Sequence, residues 1–299
     1  MGIEKYRLWV QALWFALTNG YARGFINGKI YQGPLKKLCA PGLNCYSCPG
    51  AYLSCPIGSL QAVLDSGQYR FSLYVFGMMT AFGVLLGRFI CGFLCPFGLV
   101  QDLLYKIPFG RKRKNLPGHK ILCCGKYAVL LFLVILLPMK ATNAFSMGDP
   151  WFCKYLCPSG TLFAGLPMLA ANENLREAVG FLFGWKFLVL LVLVVLSAKF
   201  YRPFCKYLCP LGAFYGFFNR IALYRFSIDA DKCIRCGKCQ DACGMDIRTW
   251  ETPNSAECIR CGDCRAVCPT DAITSTMDEL LYAAKKRNLK GKVQVREHV

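Results

Sequence analysis

Histidine is almost absent from this chain: His119 and His298 are the only two, and neither lies within a long apolar run. A pair of haem-b ligands inside a membrane is therefore excluded, and the lack of any C-x-x-C-H run excludes attached haem c. Acidic residues are scarce as well, 17 against 36 Lys and Arg, for a formal net charge of +19. The basic residues sit in short runs beside apolar segments rather than along one polar domain, which is the signature of membrane topology, so no nucleic-acid partner is expected. Charged residues make up only 18% of the chain and apolar residues 55%. That balance excludes an ordinary soluble domain and a disordered chain alike. No cleavable leader is read at the N-terminus.

What the chain has in excess is cysteine, twenty in 299 residues. Their x2 and x3 spacings are those of metal-binding thiolates, and no disulfide framework requires them. Four thiolates around an Fe4S4 core leave about −2, so four such clusters would offset about 8 of the positive charges.

Residues 71–90 and 179–198 are apolar runs of the length that spans a bilayer. Residues 121–138 form a third candidate span, with Lys126 near one end. Residues 8–27, which contain Asn19 and Arg23, form a fourth and more polar one, for which a buried core helix is the alternative. The stretch 91–126 and the segment after 198 are rich in Lys and Arg and belong in the cytoplasm, whereas 27–70 and 140–178 belong outside. Four crossings then leave both termini in the cytoplasm.

The chain is also duplicated. RFICGFLCPFG at 88–98 returns as RPFCKYLCPLG at 202–212, and CPIGSL at 55–60 returns as CPSGTL at 157–162. The expected domains are a duplicated membrane domain over 1–225 (repeats about 8–120 and 121–225), a ferredoxin domain over 226–275 and a basic extension over 276–299. Cys233, Cys236, Cys239 and Cys243 form C-x2-C-x2-C-x3-C, and Cys258, Cys261, Cys264 and Cys268 repeat it. In two-cluster ferredoxins the fourth cysteine of each run reaches the other cluster. The expected ligand sets are therefore Cys233, Cys236, Cys239 and Cys268 for one cluster and Cys258, Cys261, Cys264 and Cys243 for the other. Structural zinc, which uses separated C-x-x-C pairs, is the weaker alternative. Gly244 stands where a proline usually follows the fourth cysteine.

Cys91 and Cys95, Cys153 and Cys157, and Cys205 and Cys209 are three C-x3-C-P pairs, and Cys45, Cys48 and Cys55 crowd the remaining equivalent place. The prolines suit the first turn of a helix, and 56–65, 96–107, 158–171 and 210–222 are too short to span, which suggests re-entrant or interfacial half-helices. Cluster ligands, redox-active dithiols and packing thiols are the three readings of these pairs.

The quoted motifs, with NCYSCPGAYLSCPIGSLQ and the double ferredoxin run, resemble the NapH-type membrane polyferredoxins over roughly residues 40–275. That family is similar to the quinol dehydrogenase membrane subunit of nitrate reductase systems and is related to the membrane part of a nitrous-oxide reductase regulatory flavoprotein. The resemblance implies an α-helical integral membrane protein of the prokaryotic cytoplasmic membrane. Its expected parts are four transmembrane helices, four half-helices in two repeats and a C-terminal α+β ferredoxin domain of the bacterial 2[4Fe–4S] type. It further implies electron transfer between a quinol pool or cytoplasmic donor and a partner reductase or extracytoplasmic acceptor. The expected partners are the lipid bilayer and either oxidoreductase subunits or soluble redox proteins. Quinone is a candidate substrate, with Gln61 and Gln101 as candidate contacts; solvated or capping roles are the alternative for both.

If the repeats are related by an axis along the membrane normal, equivalent motifs share one side of the bilayer. Cys91, Cys95, Cys205 and Cys209 then hold an inner 4Fe–4S cluster. An outer one falls to Cys48, Cys55, Cys153 and Cys157, with Cys45 as the substitute for Cys48. Cys39, Cys123, Cys124 and the unused one of Cys45 and Cys48 are left as packing thiols. Two rivals remain at this stage: a redox sensor or maturation factor for a partner enzyme, and thiol–disulfide exchange through the C-x3-C-P pairs.

Overall fold

Among the described residues two of the apolar runs fold into helices long and apolar enough to cross a membrane, His119–Lys140 with 22 residues and Phe181–Lys199 with 19, whereas the run over 71–90 gives the shorter apolar helix Leu73–Leu86. The structure, a computed structural model, describes residues 6–65, 69–140 and 149–280; the expected basic extension lies outside them from residue 281. In chain order the helices are α1 (Arg7–Thr18), α2 (Ala22–Asn27), α3 (Pro56–Asp65), α4 (Tyr69–Leu86), α5 (Phe89–Phe93), α6 (Pro96–Lys106) and α7 (His119–Lys140). They continue with α8 (158–171), α9 (Glu173–Glu177), α10 (Phe181–Lys199), α11 (Pro203–Tyr207) and α12 (Pro210–Phe218). The outward faces of the long helices are apolar: Leu131 and Phe132 on α7 and Phe181, Leu188 and Val195 on α10 are all exposed.

The expected span over 8–27 is not one helix, and this corrects the sequence reading. Helix α1 ends after 12 residues, which at 1.5 Å per residue is about 18 Å, short of a hydrocarbon core of about 30 Å. Polar side chains end it. Thr18 Oγ1 donates to Trp14 O, Asn19 Nδ2 donates to Phe15 O, and the chain then turns against the 50–52 segment through Tyr21 N to Gly50 O and Tyr52 N to Thr18 O.

The half-helices start as their prolines dictate. Cys95, Cys157 and Cys209 are the extended residues before α6, α8 and α12, with the following proline at the first helical position. Within α7 the Val129–Leu136 stretch is wound as a π-helix. Pro138 has no N–H to offer the carbonyl five residues back. Gln61 Nε2 fills that gap, donating to Leu133 O at 2.9 Å.

Strands β1 (Phe226–Ile228) and β2 (Ile273–Ser275) pair antiparallel, Phe226 opposite Ser275, and close the two ends of the C-terminal unit. Between them lie α13 (Lys238–Ala242) and α14 (Asp263–Ala266). This unit sits directly on the membrane half. A Cβ at Gly92 would stand 2.4 Å from Ile259 O, and one at Gly244 only 2.6 Å from the Tyr201 ring. The second contact accounts for the missing proline after Cys243: Tyr201 occupies its space. Gly244→Ala is expected to cost about 1–3 kcal/mol by overpacking. Tyr201→Ala in the same chain should recover part of that loss, as read from denaturation curves of the four variants of the cycle in detergent.

Candidate iron–sulfur centres

In the C-terminal unit the eight motif cysteines fall into two groups. Cys233, Cys236, Cys239 and Cys268 line one small cavity, and Cys243, Cys258, Cys261 and Cys264 line a second. The backbone repeats with the sequence. Arg235 and Arg260 have φ of +51° and +54°, Gly237 and Gly262 +78° and +83°, and Asp246 and Asp271 +58° and +48°. Left-handed residues at these points turn successive N–H groups to one side, a cradle for an anion. The thiols receive such groups: the Arg260 N–H points at Cys258 and the Asp263 N–H at Cys261. Burial pushes the Cys258 thiol up to about 11. Burial also opposes ionisation of Cys268, yet the N–H groups of Thr270, Ala272 and Ile273 hold that thiol below the ordinary range. Buried thiolates fed by N–H donors suit a metal cluster, whose positive iron displaces the protons.

In the membrane half Cys91, Cys95, Cys205 and Cys209 are all buried, and the thiol of Cys209 has those of Cys205, Cys91 and Cys95 as electrostatic neighbours. Gly212 N–H donates to Cys209 Sγ at 3.4 Å and Gln101 Nε2 donates to Cys205 Sγ at 3.0 Å. Gln101 Oε1 accepts from Phe204 N–H. Both glutamines weighed as quinone contacts therefore donate inside the protein, Gln61 to α7 and Gln101 to a thiol.

The second membrane group comprises Cys45, Cys55, Cys153 and Cys157, which share a cavity of about 1020 Å³. Cys48 is buried outside its lining, with its thiol beside the N–H groups of Gly50 and Ala51. Of the two alternatives the structure brings Cys45 to this group, not Cys48. The half-helices are reciprocal here as well: a Cβ on Gly58 would lie 3.9 Å from Cys153 Sγ, and one on Gly160 3.7 Å from Cys45 Sγ. Lys186, on α10, reaches the same point and has Cys45, Cys153 and Cys157 as electrostatic neighbours. Among the described residues no carboxylate pairs with it. An ammonium on an apolar helix without a counter-ion is costly, and an anionic cluster on these four thiols would supply one. Lys186 was not singled out from the sequence; its place in the middle of an otherwise apolar run was the available signal.

Four thiols remain. Cys39 pairs through its backbone with Ser54, Cys48 is buried as described, Cys123 Sγ lies 3.6 Å from His119 Nδ1, and Cys124 is exposed. No group of three or more His, Cys, Asp or Glu among the described residues is drawn tightly enough to hold a single metal ion.

The four groups stand in sequence through the molecule. Cys264 has Cys239 of the outermost group as an electrostatic neighbour. The loop carrying Cys258 and Cys261 touches Gly92, next to Cys91. Buried Tyr215 has Cys91 and Cys95 of one group and Cys55 of the other, with Cys39, as electrostatic neighbours. Such a series of cysteine groups, ending in a double ferredoxin fold, defines a ferredoxin-type iron–sulfur electron-transport protein.

Comparison with known proteins agrees. A 4Fe–4S binding domain family matches residues 69–117, 127–169 and 181–228, each segment containing one C-x3-C-P pair, and a second 4Fe–4S binding domain family matches 226–249 and 252–274. An uncharacterised protein of Methanocaldococcus jannaschii is 30% identical over 225 residues, covering 74% of this chain and 82% of that protein. The methylamine utilization ferredoxin-type protein MauN of Paracoccus denitrificans is 30% identical over 158 residues, 52% of this chain and 48% of MauN. No solved structure matches. The chain belongs to the 4Fe–4S polyferredoxin family of the NapH type.

Replacing Lys186 by Met removes a cation that would favour the more negative, reduced state of a centre on Cys45, Cys55, Cys153 and Cys157. The midpoint potential of one centre is expected to fall while the ferredoxin pair keeps its potentials, in a redox titration followed by electron paramagnetic resonance.

Proposed function

We propose that the chain is a membrane-spanning electron relay with four 4Fe–4S clusters, on the four cysteine groups described above. Bound there, the clusters would supply one-electron redox capacity, and the protein's part is to hold them in order, keep water away and set their potentials. The observation that carries this reading is the unbroken series of groups from Cys236, exposed on the ferredoxin unit, to the cavity around Cys45. Cys236 is exposed at one end and the cavity around Cys45 lies at the other, and exchange with partners is assigned to these ends. A cytoplasmic donor or a quinol pool would serve one, and a partner reductase or extracytoplasmic acceptor the other.

In this reading α1, α4, α7 and α10 run in alternate directions, and α1 is too short to cross alone. Arg7, at its start, lies by Tyr201 and Asp102, while Thr18, at its end, lies by Tyr52. That direction supports an N-terminus on the same side as the ferredoxin unit. The basic stretch at Lys106–Lys114 supports the cytoplasm as that side.

Iron and acid-labile sulfide on anaerobically purified protein test the reading. About sixteen of each per chain is expected, and about eight would restrict clusters to the ferredoxin unit. Cys153→Ala should remove about four irons and leave the ferredoxin signals in place.

A further inference from the structure

The two copies of the R-x-x-C-x-x-x-C-P-x-G motif hold each other. Arg88 and Arg202 occupy equivalent places in 88–98 and 202–212, and both are fully buried. Each reaches across to the other copy: Arg88 Nη2 donates to Cys205 O at 3.2 Å, and Arg202 Nη1 donates to Cys91 O at 2.6 Å. The motif glycines make the space. A Cβ on Gly212 would meet Arg88 Nη2 at 3.2 Å, and one on Gly98 would meet Arg202 Nη1 at 3.4 Å.

The counter-ions break this symmetry. Arg202 Nε donates to Asp102 Oδ1 at 2.7 Å, within the membrane half. The position equivalent to Asp102 in the second copy is Gly216. No carboxylate is available there, and a Cβ on Gly216 would stand 3.1 Å from Ala256 O of the ferredoxin unit. The next residue along that loop is Glu257. Its Oε2 lies 3.0 Å from Arg88 Nη1, which also donates to Ala256 O at 2.8 Å, and its Oε1 meets buried Lys126. Burial alone would push the Glu257 carboxyl up, but Arg88 and Lys126 hold it below the usual carboxylate range. Arg88 also keeps a buried Nε–H without a partner, with Cys91 and Cys205 as its thiol neighbours.

We propose that Glu257 is a positioning residue that takes the place of the carboxylate missing from the second repeat, so that seating of the ferredoxin unit gives Arg88, beside Cys91 and Cys205, its counter-ion. Without that unit Arg88 is a buried cation beside Cys91 and Cys205 with no carboxylate, and Lys126 is a second buried cation next to Arg88. With Glu257 in place both share its carboxylate, and Cys258 is fixed one residue away from the contact.

The inference rests on the reading that this group holds a cluster, and Glu257→Gln in the full-length, cluster-loaded protein in nanodiscs tests the two separately. Iron content should equal that of the wild type. Amide hydrogen exchange over 255–261 should rise about tenfold, as expected for loss of a charged hydrogen bond. The potential of the inner centre should shift upward, because unmatched cations favour its reduced state, while the outer centre stays where it was. Glu257→Asp should give the same changes at smaller amplitude, and serves where the glutamine variant does not accumulate. Wild-type exchange rates together with an unmoved inner potential would overturn the proposal. Wild-type protein without an inner signal would instead refute the cluster reading, and the exchange measurement would still decide whether Glu257 seats the unit.

Discussion

The constraint on which this structure depends is the gathering of sixteen thiols into four groups, most of them buried or half-buried. A thiolate in low dielectric is unfavourable unless cations or N–H dipoles face it. Each cysteine group is provided with such partners. Left-handed arginine and glycine positions turn N–H groups inward around the two ferredoxin groups. Half-helix starts and Gln101 do the same at the inner membrane group, and Lys186 does it at the outer one. Part of the chain's basic excess is thereby assigned. Arg88 and Arg202 are buried beside the inner membrane thiols and Lys206 beside Cys243.

Duplication supplies a frame, and departures from it carry the specific roles. Asp102 and Gly216 are equivalent by sequence, as are Gln101 and Tyr215. One member of the second pair, Gln101, donates to the Cys205 thiol. The other, Tyr215, donates its hydroxyl to Pro41 O and has thiols of both membrane groups as electrostatic neighbours. A strictly symmetric pair of repeats would have no face suited to one ferredoxin unit. Exchanging a carboxylate for glycine in one copy creates that face, and Gly92 and Gly216 let the 256–259 backbone come into contact with it.

Local signals were legible in the sequence. Cysteine spacing, the C-P starts of the half-helices and the apolar lengths of α7 and α10 depend on residues within one turn or one run. The interruption after Thr18 was less so, because the turn that follows α1 is fixed by Tyr21 N donating to Gly50 O and Tyr52 N donating to Thr18 O, contacts that need the 50–52 segment beside it. The choice between Cys45 and Cys48 was not legible at all. Both lie in one short loop, and which of them faces Cys55 depends on how that loop packs under α8. Glu257 was invisible for a related reason. A lone acidic residue before a cysteine reads as surface decoration until Arg88 and Lys126 are brought to it from more than a hundred residues away.

Gly244 shows how a departure from a motif can be understood from contacts rather than treated as decay. A proline after Cys243 would put its ring where the Tyr201 ring lies. Tyr201 in turn is fixed by Arg7, which donates to its hydroxyl at 3.2 Å, and by the edge of the Tyr105 ring. It immediately precedes Arg202, the residue that clamps Cys91. One aromatic ring thus touches the loop of a ferredoxin cysteine and adjoins the motif of a membrane cysteine pair. After Cys268 the second run keeps its proline, Pro269, whose fixed φ stiffens the loop, and after Cys243 that constraint is absent. Here the neighbouring ring does the stiffening, and glycine is what allows the ring to approach.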